Sequence, residues 1–140
     1  MKLKSVAAFA LEYPEPHDHG NLRYITLARV EASDGTVGWG EAVSQFPEAA
    51  VAVKLVVEHA FAPLLVGESA YDVERLWHRM LKRVWWYGPQ GIAAFAISAV
   101  DMALWDLKGR LLGQPVCSLL GGRLNDRIVA MASIHFNLED

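Results

Sequence analysis

The stretch AISAVDMALWDLKGRLLGQPVCSLLGG, residues 96–122, decides the fold because it holds most of one long helix and the turn that ends it. Apolar residues recur at helical spacing from about residue 92 to residue 112, and further apolar side chains lie off that stripe. A helix that is apolar over most of its circumference is usually buried. Gly113 and Pro115 follow, and both residue types are typical of a helix end. The stretch therefore predicts a buried helix.

Two aspartates on this helix raise the question of whether it carries an active site. Paired carboxylates can transfer protons or hold a metal ion. Asp101 and Asp106 are five residues apart, however, so their side chains point about 140° apart around the helix axis and cannot converge. Asp106 is spaced to pair with Arg110, and Asp101 is available to bond a neighbouring strand or loop. The spacing predicts structural roles for both.

Two more helices are predicted before this one. Pro47 and Glu48 are typical of a helix start, and the helical pattern continues until Pro63. Ser69 and Asp72 form a capping-box pattern before the next helix. That helix has one apolar face at spacings of three and four residues, made of Val73, Leu76, Trp77, Met80, Leu81, Val84 and Trp85. The segment YGPQG ends it, and PVCSLLGG after the long helix predicts one more helical turn.

The first third of the chain is predicted to form strands. Residues 2–13 predict a strand that prolines end, because proline cannot donate to a strand ladder. Residues 22–32 alternate, which puts Leu22, Tyr24, Thr26, Ala28 and Val30 on one face. The pair at residues 34–35, Asp-Gly, predicts a tight hairpin, with VGWGEA as the return strand. The fold class is therefore α+β: a three-stranded antiparallel meander followed by a three- to four-helix bundle.

The segment RIVAMASIHF, residues 127–136, predicts one further strand with no partner after it. An unpaired apolar strand is an aggregation hazard, so domains seldom close on one. We expect residues 1–122 to form a complete domain and residues 123–140 to begin a second, truncated one.

Composition excludes several classes of protein. The net charge is −3 and the Lys and Arg residues are scattered, which argues against nucleic-acid binding. Cys117 is the single cysteine, so no internal disulfide forms. The N-terminal apolar run is too short for a signal peptide, and no run is long enough to span a bilayer. We expect a cytoplasmic protein without a membrane partner.

The long helix carries a family resemblance. It is similar to the N-terminal signature of the mandelate racemase and muconate lactonizing enzyme family, part of the enolase superfamily, and DGTVGWGEA at residues 34–42 resembles that family's second recurrent motif. The matching positions in the helix and its turn are Ala96, Ser98, Ala99, Val100, Asp101, Ala103, Leu104, Asp106, Leu107, Gly109, Arg110, Pro115, Val116, Leu119, Leu120 and Gly121. The resemblance implies an N-terminal capping domain of the enolase type.

The resemblance also implies a chemistry that lies outside this chain. In the family, a base on a C-terminal (β/α) barrel removes the proton α to a carboxylate, and Mg²⁺ held by barrel residues stabilises the enediolate. A barrel needs about 200 residues, so no catalytic residue and no metal ligand is assigned here. The implied partners are the barrel of the same enzyme and a carboxylate substrate, with a homo-oligomer at full length. We expect the chain to be inert alone.

The general look of ERLWHRMLKRVWWYGPQG, residues 74–91, favours a sugar-acid dehydratase within the family. A racemase or epimerase and a cycloisomerase stay open, because the base residues that distinguish them are on the barrel. A non-catalytic interaction module is the alternative from another class.

Two loops are the candidate substrate contacts that the resemblance implies, at about residues 14–21 and 43–47. His17, His19 and Phe46 are the candidates within them, against the alternatives of a solvated loop and, for the two histidines, a metal site with too few fixed ligands. Glu41 is expected to bond nearby backbone and Trp39 to pack on the helices.

The remaining chemistry-bearing residues receive structural interpretations. The WWYG cluster at residues 85–88 fits either ligand stacking or a domain interface. Cys117 is expected to be a buried thiol. His59, His78 and His135 lie in predicted elements without the partner spacing of a metal site.

Overall fold

The computed structural model describes residues 1–16 and 20–131. Three strands come first: β1 (Leu3–Pro14), β2 (Leu22–Ala32) and β3 (Val37–Ser44). They form one antiparallel sheet in the order β1-β2-β3. The helices follow and pack on one side of the sheet, so the domain has two layers. The predicted α+β class and the antiparallel meander are confirmed.

The hairpin between β2 and β3 forms at the predicted Asp-Gly pair. Gly35 has φ +90°, a left-handed conformation that glycine adopts without steric cost. The backbone N–H of Thr36 donates to Asp34 Oδ1 at 3.0 Å, and the N–H of Ala32 donates to the carbonyl of Thr36 at 2.8 Å. This turn fixes the register that places Thr26, Ala28 and Val30 on the buried face, as the alternation predicts.

The first helical region runs past Pro63, so the predicted end at this proline is wrong. The region consists of α1 (Pro47–Leu55), a π-helical segment (Val56–Phe61) and α2 (Ala62–Leu65). Pro63 lies in the first turn of α2, directly after the π-helical segment, whose hydrogen bonding reaches Ala62 through its N–H to the carbonyl of Val57. The π-helical segment before it resets the hydrogen-bond register, and a proline is therefore tolerated.

The next helix is α3 (Val73–Arg83), and it begins without the predicted capping box. Asp72 is the residue before the helix, and its side chain makes no capping bond. The hydroxyl of Ser69 accepts instead from the backbone N–H of Tyr71 at 3.3 Å, which closes a local turn. On the apolar face Val73, Leu76, Met80 and Val84 are buried, whereas Trp77 and Leu81 are partly buried. Trp85 lies beyond the helix and is exposed.

The long helix α4 (Ile92–Leu112) has the predicted bounds. Gly113 ends it in a left-handed conformation with φ +61°. The helical spacing predicts Phe95 on the buried stripe and Ile97 off it, but Ile97 is buried and Phe95 has 45% of its surface exposed. The predicted extra turn is α5 (Val116–Leu119).

Two glycines of β3 allow α4 to lie directly on the sheet. A Cβ atom at Gly40 would lie 2.0 Å from the carbonyl oxygen of Ala99, and one at Gly38 would lie 2.2 Å from that of Ala103. Atoms cannot approach this closely, so only glycine fits at both positions. Phe61, Leu104 and Leu107 complete the core between the helices and the sheet.

Residues 127–131 have no regular secondary structure, and the rest of the strand predicted at residues 127–136 lies outside the described residues. A strand requires a neighbouring strand for its backbone hydrogen bonds, and the described sheet has only three. Among the helices of the described ranges, none is long and apolar enough to cross a bilayer.

Candidate functional site

One end of the sheet carries a groove of about 660 Å³. Because the strands are antiparallel, β1 ends, β2 begins and β3 ends at this end of the sheet. Pro14 pairs with Leu22 there, and Tyr24 pairs with Ser44. The two loops expected at residues 14–21 and 43–47 therefore lead away from the same end of the sheet. The groove is lined by Tyr13, Glu15, Asn21, Leu22, Arg23, Tyr24, Ile25, Glu41, Val43, Ser44 and Gln45.

Backbone hydrogen bonds close the base of the first loop. The N–H of Glu15 donates to the carbonyl of Asn21 at 2.9 Å, and the N–H of Gly20 donates to the carbonyl of Glu15 at 3.2 Å. Two of the three predicted substrate contacts, His17 and His19, lie outside the described residues. The groove wall that the structure does describe is therefore formed by the base of this loop and by the strand ends.

Phe46, the third predicted contact, lies in the second loop with 60% of its surface exposed. It has an extended backbone, with φ −132° and ψ 151°, and it immediately precedes α1. Its carbonyl accepts the N–H of Ala50, but its side chain makes no capping bond.

Charged and polar side chains dominate the groove. Arg23 Nε lies 3.3 Å from Glu15 Oε2, which is within ion-pair distance, but this buried atom has no hydrogen-bond partner among the described residues. The pair links β2 to the residue that follows β1. Sequence reasoning missed both residues. Their positions in the sequence could have indicated them. Glu15 directly follows the last residue of β1, and Arg23 is the first outward-facing residue of β2. The Oγ atom of Ser44 is buried and has no hydrogen-bond partner among the described residues.

The side chains of Trp39 and Glu41 point away from the helices, so two predictions are wrong. Trp39 does not pack on the helices. Its ring lies on the outer face of the sheet, and its centroid is 6.1 Å from the ring centroid of Phe9. Glu41 is exposed on the same face and lines the groove instead of bonding nearby backbone. The cause is the alternation of β3, because Gly38 and Gly40 occupy the inward positions that α4 contacts.

The two aspartates of α4 have separate environments, as their spacing predicts. Asp106 accepts from Arg110 Nε at 3.0 Å, and its Oδ2 also accepts the backbone N–H of Trp39 at 2.9 Å. This bond satisfies a donor at the free edge of β3. Burial raises the pKa of Asp101, and the nearby carboxylate of Glu74 raises it further. Neither aspartate lines the groove.

The described residues do not fit a magnesium site. Nowhere in residues 1–16 or 20–131 do three His, Cys, Asp or Glu side chains come together closely enough to hold a metal ion. Mg²⁺ is usually bound by one or two carboxylates together with other oxygen ligands. The groove has two, Glu15 and Glu41, but the first is already paired with Arg23.

The tryptophan pair of the WWYG cluster and Cys117, which the sequence also singled out, are exposed. Trp86 has 80% of its surface exposed and packs edge-on against Trp85, with ring centroids 5.2 Å apart. Cys117 is also exposed, so the prediction of a buried thiol is wrong. The reason is that α5 is a single short turn without a buried residue.

Comparison with known proteins places the chain in one family. The sequence model described as "Mandelate racemase / muconate lactonizing enzyme, N-terminal domain" matches residues 17–121. An L-rhamnonate dehydratase from Saccharopolyspora erythraea is 40% identical over 107 residues, which cover 76% of this chain and 26% of that enzyme. A D-galactarolactone cycloisomerase from Agrobacterium fabrum is 31% identical over 147 residues, covering 100% of this chain and 37% of that enzyme.

The fold is also present in solved structures. A mandelate racemase/muconate lactonizing protein from Paracoccus denitrificans, complexed with magnesium, is 43% identical with a TM-score of 0.74. The match covers 89% of this chain and 31% of that one. The chain thus spans between 26% and 37% of the length of these three relatives.

Proposed function

The chain belongs to the mandelate racemase / muconate lactonizing enzyme family, and we propose that residues 1–122 act as the N-terminal capping domain of a longer enzyme that acts on a sugar acid. In this proposal residues 123–140 lead into a catalytic barrel, which is the chief partner of the domain. The size of the relatives supports this division, since each is more than twice as long as the chain.

The proposed reaction begins with removal of the proton α to the substrate carboxylate, and dehydration is the leading outcome. Relatives named as dehydratases of L-rhamnonate and arabinonate support this choice, each 40% identical over the matched residues. Mg²⁺ is the proposed cofactor, and it would be held by the barrel because the described residues of this chain do not fit it. The proposed contribution of this chain is to cover the active site and to shape its substrate preference.

The observation that carries the proposal is the meeting of two loops at one groove-bearing end of the sheet. A cap that selects substrates needs adjustable side chains on a rigid support, and loops on a packed sheet provide both. We propose that His17, His19 and Phe46 contact the substrate from these loops. The exposure of the Phe46 ring supports this role.

The test uses the full-length parent enzyme with Mg²⁺ and a panel of sugar acids. Phe46→Ala is expected to lower kcat/KM about tenfold, which corresponds to about 1.4 kcal/mol of lost transition-state binding. Phe95→Ala is the matched control, because Phe95 is another exposed phenylalanine but lies on α4 and in neither of the two loops. Equal kcat/KM values for the two variants and the wild type would remove Phe46 from the substrate site. Absence of turnover across the whole panel would overturn the proposed function.

A cycloisomerase is the second candidate, and the relative from Agrobacterium fabrum favours it because its match covers 100% of this chain. Product analysis separates the two reactions. A dehydratase releases one water and forms a 2-keto-3-deoxy acid, whereas a cycloisomerase forms a product of unchanged mass. A racemase or epimerase also leaves the mass unchanged, but it inverts one stereocentre.

A further inference from the structure

Three consecutive aromatic side chains project from the turn that follows α3. Trp85, Trp86 and Tyr87 have 72%, 80% and 57% of their surfaces exposed, and the two indole rings pack edge-on against each other. The turn is anchored, because the N–H of Gly88 donates to the carbonyl of Val84 at 2.8 Å and the side chain of Val84 is buried. The rings are therefore held at the surface by a fixed turn, and the capping function gives them no role.

The aromatic area that these residues expose is large. An aromatic residue buries about 150–250 Å² when it is covered, so the three exposed fractions together amount to roughly 400 Å². The largest apolar patch on a typical monomer covers about 300–600 Å² and is often functional. Two copies of this patch supply roughly 800 Å² of the 1,200 Å² at which stable interfaces begin, and the exposed Leu55 nearby adds to it.

A shallow cavity of about 290 Å³ lies beside the aromatic residues, between the first helical region and the turn. It is lined by Leu55, Val56, His59, Ala60, Arg83 and Tyr87. Most of this wall is apolar, and no carboxylate contributes to it. The guanidinium of Arg83 is exposed and has no ion-pair partner among the described residues.

This cavity has the chemistry that receives an indole ring. Its aliphatic wall can pack against the ring, and a guanidinium stacks favourably over the face of a tryptophan. Trp, Tyr and Arg are also the residue types that carry most of the binding energy at protein interfaces. The rings and the cavity are neighbours on one surface, which is the arrangement that a two-fold dimer requires, since each copy then gives a ring and receives one.

We propose that residues 85–87 and the cavity beside them form a dimer surface that pairs with the same surface of a second copy of this chain. In the dimer, Trp86 of each copy occupies the cavity of the other and lies against the guanidinium there. The dimer surface shares no residue with the groove at the loop end of the sheet. The pairing therefore stands apart from the proposed function.

Sedimentation equilibrium of the 140-residue chain tests the pairing. We expect a dimer whose Kd lies between about 1 and 100 µM, as suits an interface at the low end of the size range. Trp86→Ala is expected to raise the Kd at least about 100-fold, because a central tryptophan is a typical hot spot and the symmetry counts it twice. Trp39→Ala is the matched control, since Trp39 is also exposed but lies on the outer face of the sheet, and it should leave the Kd unchanged.

A second variant blocks the cavity and leaves the rings in place. Leu55→Arg puts a long charged side chain at the cavity wall, and arginine is a good helix former, so the fold should persist. Each variant alone is expected to be monomeric. A one-to-one mixture of Leu55→Arg and Trp86→Ala joins an intact ring to an open cavity, so we expect heterodimers at concentrations where neither variant associates. A general loss of structure cannot produce this rescue, and circular dichroism checks that both variants are folded.

The outcomes divide as follows. Dimerisation that both variants abolish and the mixture restores supports the pairing. A wild-type chain that stays monomeric up to about 100 µM, the weak limit for such an interface, overturns it. A dimer that Trp39→Ala breaks and Trp86→Ala leaves intact overturns it in favour of the outer face of the sheet, and a mixture without rescue overturns the exchange of rings. Protection of Trp86 from hydroxyl-radical oxidation in a monomeric full-length parent enzyme also overturns it, because the barrel would then cover the rings.

Discussion

The sheet has a closed side and an open end, and the two are built by different means. The closed side consists of the inward residues of β2 and β3, among them Thr26, Gly38 and Gly40, and α4 lies against it without intervening side chains at the two glycines. The open end is the groove, where charged and polar side chains face solvent. Close backbone contact at the glycines distinguishes the closed side, whereas charged and polar side chains distinguish the open end.

This difference teaches which changes the domain tolerates. A substitution on the closed side moves backbone against backbone, so its effect falls on stability. A substitution at the open end changes charge or shape in a solvent-filled space, so we expect its effect to fall on the proposed substrate preference. The predictions below test that division on stability, in order of decreasing effect.

Gly40→Ala is expected to give the largest loss of stability. The added Cβ would lie 2.0 Å from the carbonyl oxygen of Ala99 and 2.7 Å from the backbone N of Ala103, and neither atom can rotate away. We expect a loss of at least about 3 kcal/mol, the upper end of what overpacking a core costs. Urea denaturation followed by circular dichroism measures it.

Val43→Ala is the control for this change, because Val43 lies on the same strand and faces outward at the open end. Its loss should be below about 1 kcal/mol, as for most exposed positions. If Gly40→Ala cost no more than Val43→Ala, the close contact between α4 and the sheet would be wrong.

The second prediction compares two buried hydroxyls on neighbouring strands. Thr26 Oγ1 donates to the carbonyl of Ala50 at 3.0 Å, whereas Ser44 Oγ has no partner in the described part of the chain. Thr26→Val keeps the volume and removes the bond, so it should cost about 1 kcal/mol. Ser44→Ala should be neutral or slightly stabilising, because it removes a polar atom that is buried without a bond.

Thermal denaturation of both variants, side by side, measures the difference. A loss for Ser44→Ala as large as that for Thr26→Val would mean that Ser44 has a partner and that the open end reaches further into the sheet. Equal and negligible losses would mean that the bond from β2 to α1 contributes nothing.

The closed side was largely predictable from the sequence, because its signals are local. The apolar period and the stop at Gly113 predict both bounds of α4, and the Asp-Gly pair predicts the hairpin. The prediction that Trp39 packs on the helices is wrong because it rests on the apolar character of the side chain and not on its position in the alternation of β3. The small residues on either side of this tryptophan mark the inward face of β3, so the large ring between them has to point outward.

The open end was predictable only in position. A three-stranded meander places the loop after β1 and the loop after β3 at the same end of the sheet, and the order of the strands in the sequence is enough to predict this. The pairing of Glu15 with Arg23 depends on strand register, which no local pattern encodes. The exposure of Glu41 follows from the same alternation that turns Trp39 outward. The continuation through Pro63 was missed for a similar reason, since a π-helical segment has no clear sequence signal.

The smallest expected effect concerns Asp101, a half-buried charge on α4 that departs from the apolar pattern of the closed side. Burial raises its pKa above the ordinary value of 3.8, and Glu74 adds to this by repulsion. The folded state therefore holds the proton to higher pH than the unfolded chain does, so stability falls as pH rises from about that value through the raised pKa. Asp101→Asn removes this dependence and should stabilise the domain at neutral pH by less than about 1 kcal/mol, since the group is only half buried.

Denaturation at a series of pH values measures the slope, and Glu74→Gln divides its causes. Because burial is the larger cause, Glu74→Gln should reduce the difference in slope between the wild type and Asp101→Asn only in part. If Glu74→Gln alone abolished that difference, repulsion rather than burial would govern Asp101. If Asp101→Asn destabilised the domain at neutral pH, the carboxylate would have a bonding partner, and the closed side would depend on a charge as the open end does.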